Sequence, residues 1–183
     1  MIRAITKRKA AKLEMAFDNA VVLLHSSRSV EQSANELLEL LAPAFDCEWG
    51  TFWKVDRTIL RAISTWSVPT VKATRLNADT RNRTISSSDG TAGHVWRSQK
   101  PIWTVDLTSD MCLPRSLEAL DAGLHGGVWF ALKTDRAVYG VIELLGKDLP
   151  RATDTLLVAV ENLGIRLGHL IEEFENRSQV QQL

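Results

Sequence analysis

Between residues 89 and 146 the hydrophobic pattern switches repeatedly, and the order of those switches restricts the fold more than anything else in the chain. DGTAGHVW brackets the entry to a short helix with Gly90 and Gly93, and the helix ends near Ser98. A strand over 101–105 (PIWTV) runs into an acidic loop. PRSLEALDAG then reads as a two-turn helix that Pro114 can start and Gly123 can stop. GGVWFALKT and AVYGVIELL close the block as a hairpin turning at Asp135 and Arg136. Helix, strand, helix and hairpin in this order suit an α+β fold built on an antiparallel sheet, not a series of regular βαβ units.

The flanks predict helices. Leu13, Phe17, Ala20 or Val21, and Leu24 line one face of a helix over 5–27. Ser29 with Gln32 forms a capping-box pattern ahead of Leu37, Leu38 and Leu41, and Pro43 ends that second helix. CEWGTFWKV is strand-like, and a turn at Asp56 and Arg57 leads into ILRAISTW. Residues 67–88 lack periodicity and read as a surface loop, long enough to cover a cavity. From Asp154 onward, Leu156, Val160, Leu163, Leu167, Leu170 and Phe174 recur at steps of four and three residues. That is a coiled-coil type of seam. It suits a helix packed on its own sheet, or one that also packs on a second copy in a parallel dimer. Gly164 and Gly168 lie beside the seam and permit close approach. The expected organisation is one domain: an N-terminal helix over 1–28, a core over 29–153, and a C-terminal helix over 154–183 as dimer interface.

Composition narrows the function classes. Lys plus Arg and Asp plus Glu both number 22, so no general attraction to nucleic acid or to an anionic membrane is expected. No apolar run approaches the roughly twenty residues that span a bilayer, and the basic N-terminus lacks the apolar core of a signal peptide. A cytoplasmic protein is the expectation. The two cysteines, Cys47 and Cys112, form neither a disulfide framework nor a metal cluster. His25, His94, His125 and His169 are scattered, and no HExxH, GxSxG, P-loop or dinucleotide fingerprint occurs.

Asp106 and Asp110 could bind a cation or a ligand hydroxyl, or could simply cap turns. Cys112 has only Arg115 nearby in sequence to lower its pKa, so it is either a bystander or the basis of a thiol-dependent redox enzyme. The six tryptophans say more. Trp49 and Trp53 share a strand face, and indole N–H groups need partners when buried. One sheet face should pack on the terminal helices. The other should lie under 67–88 and 106–122, as a ligand cavity or a space the indoles fill.

Taken together, DGTAGHVW, PIW, Asp106 with Asp110, the Arg115–Ala119–Gly123–Leu124 spacing and YGVIEL make the chain resemble the GAF domain. This small-molecule-sensing and dimerising module is related in fold to PAS domains. The resemblance, over roughly 15–175, implies a central antiparallel sheet of five or six strands. The N- and C-terminal helices pack on one face, and a pocket lies on the other.

It implies a sensory, signal-transducing module that binds a small organic ligand and forms a homodimer through its terminal helices. Its partner would be an output histidine kinase or other signalling module, in cis or in trans. The ligand would be lined by Trp66, Trp96, Asp110, Arg115 and Trp129, with Arg115 fixing an anionic or carbonyl group. No catalytic residue, metal or cofactor is assigned, and the expectation is that the chain is not an enzyme. A purely dimerising module without ligand is the alternative.

Three specialised branches of the family fit poorly. Bilin attachment would need a cysteine where Pro114 stands, followed by histidine where Arg115 stands. The cyclic-nucleotide signature lacks its phenylalanine and acidic pair in GKDLPRATDTLL. The free methionine sulfoxide reductases of this fold depend on a set of three cysteines.

Overall fold

The computed structural model describes residues 1–109 and 115–183. Its centre is a six-stranded sheet in the order β3-β2-β1-β6-β5-β4, antiparallel throughout. The strands are β1 (Trp49–Asp56), β2 (Ile59–Ser67), β3 (Thr84–Ile85), β4 (Ile102–Thr104), β5 (Gly126–Lys133) and β6 (Val138–Gly146). The helices are α1 (Ile2–Ser26), α2 (Val30–Ala44), α3 (Thr74–Asn82), α4 (Gly90–Ser98), α5 (Ser116–Asp121) and α6 (Asp154–Gln181). The expected α+β class, the antiparallel sheet and the end helices on one face are all observed.

Alternation along β5 and β6 divides the core in two. Val128, Phe130, Leu132, Ile142 and Leu144 face the helix layer. Trp129, Ala131, Val141 and Leu145 face the other way, towards α3, α4 and α5. In the helix layer α6 lies on β5, α2 covers β2, and α1 packs over α2 and α6. Ser29 caps α2, its hydroxyl accepting from the Gln32 amide at 3.0 Å, and Thr153 caps α6 in the same way at 3.2 Å. Lys9 fastens α1: its side chain is buried, and Nζ lies 2.8 Å from Asp46 Oδ2.

Gly164 and Gly168 bring α6 directly onto the β5 backbone. A Cβ at either position would fall well inside van der Waals contact with the carbonyl oxygen of Ala131 or Lys133. Those two positions must therefore lack a side chain, despite the cost of glycine in a helix.

Three expectations need correction. Residues 67–88 are not a loop, because they contain α3 and β3. Helix α3 buries only Leu76 and Thr80, one turn apart, which is too little for a periodic pattern to show. The first hairpin turns one residue later than expected: Asp56 pairs with Ile59, and Arg57 takes the left-handed conformation at φ 58°.

The α6 seam is filled from within the chain. Leu167, Ile171 and Phe174 are 0%, 1% and 7% exposed, and they belong to the same core as Leu13, Ala20 and Leu24 of α1. Leu170 is half-buried against that core. The seam is therefore occupied within the chain, apart from the partly exposed side of Leu170. Leu167→Glu with Phe174→Glu would bury two charges and is expected to unfold the chain, not to leave a folded monomer.

Candidate functional site

The sheet face under α3, α4 and α5 converges on one carboxylate. Glu143 sits on β6 between Val141 and Leu145, with Thr51 of β1 and Trp129 of β5 as its cross-strand neighbours. Strand alternation points it inward, and it is fully buried. A buried carboxylate must be paired and hydrogen-bonded to be tolerated, and Glu143 is. Arg115, also fully buried, donates through Nη2 to Oε1 at 2.6 Å and Oε2 at 2.9 Å. The Trp129 indole N–H donates to Oε2 at 2.5 Å, and that of Trp53 to Oε1 at 3.4 Å.

The guanidinium is held on its other sides too. Its Nη1 donates to Thr80 Oγ1 on α3 at 2.8 Å, while its carbon lies 5.1 Å from the Trp53 ring centre and 5.9 Å from that of Trp49. Trp49 in turn donates to Asn77 Oδ1 of α3 at 2.7 Å. Only Nε of Arg115 lacks a partner among the described residues. This network fastens α3 and the start of α5 to the sheet. Chemically it presents a guanidinium whose preferred acceptor is already internal, so an incoming anion would compete with Glu143.

The residues expected to line a ligand separate as follows. Arg115 and Trp129 meet at Glu143. Trp96 is half-buried against the same core. Asp110 and the redox candidate Cys112 lie outside the described residues. Trp66 is on the opposite face, packed against the helix-side core, and so cannot join the others. The cause is a one-residue register shift: Phe52 pairs with Ser64, but Trp53 pairs with Ala62. The extra residue, Ile63, turns everything after it to the other side. Without that bulge Trp66 would share the face of Leu60 and Ala62.

Glu143 was missed by sequence reasoning. Its signal was a single acid inside the apolar run YGVIELL, a position that demands a buried partner.

The remaining candidates are structural in their surroundings. Asp106 caps its own turn: Thr108 donates to Oδ1 from its hydroxyl at 2.6 Å and its amide at 2.8 Å, and these bonds hold the carboxyl below the usual carboxylate range. His94 is exposed, with Nδ1 3.2 Å from the Arg97 guanidinium. Among the described residues no three His, Cys, Asp or Glu side chains are grouped to hold a metal ion. No described helix is long and apolar enough to cross a membrane.

Cys47 is buried, and burial pushes its thiol well above the ordinary range. Iodoacetamide at pH 8 should therefore leave Cys47 unmodified until the protein is unfolded. Labelling of the native protein, located at Cys47 by peptide mapping, would contradict that burial.

The GAF domain profile matches residues 27–172, most of the chain. The chain belongs to the GAF domain family. No curated protein matches it.

Among solved structures, the GAF domain of an Acinetobacter phosphoenolpyruvate-protein phosphotransferase is similar, with a TM-score of 0.68 and 12% identity over 91% of this chain and 97% of that one. A free methionine-R-sulfoxide reductase from Neisseria meningitidis, solved with its substrate, gives 0.69 and 16% over 92% and 93%. A domain assigned to a two-component sensor histidine kinase of Sinorhizobium meliloti 1021 gives 0.62 and 14% over 86% and 100%. At these identities the likeness shows a shared fold.

The reductase overturns one expectation. Sequence reasoning set the chain down as no enzyme, for want of a catalytic motif. This GAF fold houses catalysis in the reductase, and a fold of this kind leaves the chemistry to be decided by its sites. An enzymatic role therefore stands open. GAF domains are in general sensory or regulatory modules, and this one carries that coarse assignment.

Proposed function

We propose that this GAF module is a regulatory domain that works through its layer of end helices. It would self-associate as a homodimer and pass changes in the sheet to a signalling partner, a kinase or another output module in cis or in trans. The observation that carries this reading is the position of β5 between two contacts. Trp129 on one face bonds the Glu143–Arg115 centre, while α6 rests on the same strand's backbone at Ala131 and Lys133. A second tie runs round the strand's end: Lys133 Nζ meets the Gln99 carbonyl after α4 and the Glu161 carboxylate of α6, at 2.6 and 3.1 Å. A change at the buried centre therefore has a short physical route to α6.

The test is hydrogen exchange of α6 amides in Lys133→Met and in the parent. Loss of protection confined to α4 and α6, with the core unchanged, is the expected result. Unchanged exchange in α6 would remove the proposed route.

A small anionic organic ligand is the second reading, and the Nε of buried Arg115, which has no partner among the described residues, favours it. Native mass spectrometry against a panel of carboxylate and phosphate metabolites should then give a bound species that Arg115→Met loses while remaining folded. A panel with no bound species would leave the helix-only reading.

A further inference from the structure

Helix α1 presents two different faces. Leu13, Ala16, Ala20 and Leu24 are buried in the core shared with α2 and α6, and Lys9 is buried against Asp46 and the Trp103 ring. On the opposite side Ala4, Ala11, Met15 and Val22 are exposed at steps of seven, four and seven residues. Met15 is 67% exposed and Val22 70%. This apolar ridge stands between two grooves. One, of about 460 Å³, separates α1 from α6 beside Ala11 and Ile165; the other, of about 350 Å³, separates α1 from α2 beside Met15 and Leu40. A ridge flanked by grooves is self-complementary, as a two-fold interface requires.

Charge along the ridge sets the direction. Its start is basic, with Lys7 and Arg8 exposed, and Asp18 lies further on. Among the described residues neither Arg8 nor Asp18 has an ion-pair partner in the chain. We propose that α1 pairs with α1 of a second copy in the antiparallel sense, about a two-fold axis level with Leu13. This rests on the homodimer reading above.

In that register Ala4 packs on the partner's Val22 and Ala11 on the partner's Met15, small against large. Arg8 meets the partner's Asp18 twice, once on each side of the axis. The parallel arrangement expected from the sequence instead sets Arg8 on the partner's Arg8 and Asp18 on the partner's Asp18. Like charges so placed repel.

Charge reversal separates these cases. Arg8→Glu and Asp18→Arg are exposed changes, and circular dichroism should confirm that both variants remain folded. By sedimentation equilibrium at low salt each alone should weaken the parent dimer by about tenfold or more. Mixing the two variants one to one should restore a dimer at least as tight as the parent, because each then supplies the charge the other lacks.

A parent that stays monomeric at about 100 μM would sink the homodimer reading and this proposal together. A parent dimer that neither variant weakens, or that the mixture fails to restore, would overturn the antiparallel ridge while leaving the homodimer standing.

Discussion

Glu143→Ala is expected to cost about 3–5 kcal/mol of stability, the usual result of removing one partner of a buried ion pair. The loss has two parts. Arg115 keeps its charge at a fully buried position, with only Thr80 as a remaining hydrogen-bond acceptor among the described residues. The indole N–H groups of Trp129 and Trp53 lose their acceptor as well, each at a further desolvation penalty. Urea denaturation followed by tryptophan fluorescence would measure it. A loss below about 1 kcal/mol would mean that Arg115 escapes to solvent, and that the centre is less closed than its burial indicates.

The double variant Glu143→Leu with Arg115→Met removes both charges. It should recover much of the loss, since apolar replacements of similar volume are often neutral or stabilising. Recovery would show that the pair is kept for something other than stability.

Gly168→Ala should be damaging too, though less so, against the direction that helix propensity alone predicts. Alanine favours a helix interior by about 1 kcal/mol over glycine. At this position the added methyl group would meet the backbone of Lys133, which cannot move aside as a flexible side chain would. Overpacking of this kind costs about 1–3 kcal/mol and sometimes more. A net fall in melting temperature of several degrees is expected for a chain of this size. Gly164→Ala, against Ala131, should behave alike, and the two together should free α6 from β5. A rise in melting temperature for either single variant would mean that helix and strand are not in backbone contact.

The legible parts of the chain were those in which one physical pattern dominated. Alternation in GGVWFALKT and YGVIELL fixed the hairpin, and the spacing of Leu156, Val160, Leu163 and Leu167 fixed α6. What packs against such a stripe is not written in its period. Thus the seam through Phe174 left a second copy possible, when Phe174 already lies in the core that also holds Leu13, Ala20 and Leu24 of α1.

Helix α3 was illegible because two buried residues make no pattern. Trp66 was misplaced because a bulge depends on how two strands pair, which neither strand records alone. Arg115 was singled out by family likeness, but its acceptor was not, since 28 residues separate it from Glu143. Only a rule that every buried charge needs a partner could have joined them.

The contact of α6 with β5 has a mechanical consequence. Most helix–sheet joints contain a layer of side chains that can change rotamer and absorb small displacements. Here glycine puts backbone on backbone at Ala131 and Lys133, and nothing compressible lies between. The helix must tilt with the strand as a rigid lever pivoting at Gly164 and Gly168. From Gly168 to the helix end at Gln181 the arm is about 20 Å at 1.5 Å per residue, so a tilt of about 5° carries the tip through about 1.7 Å.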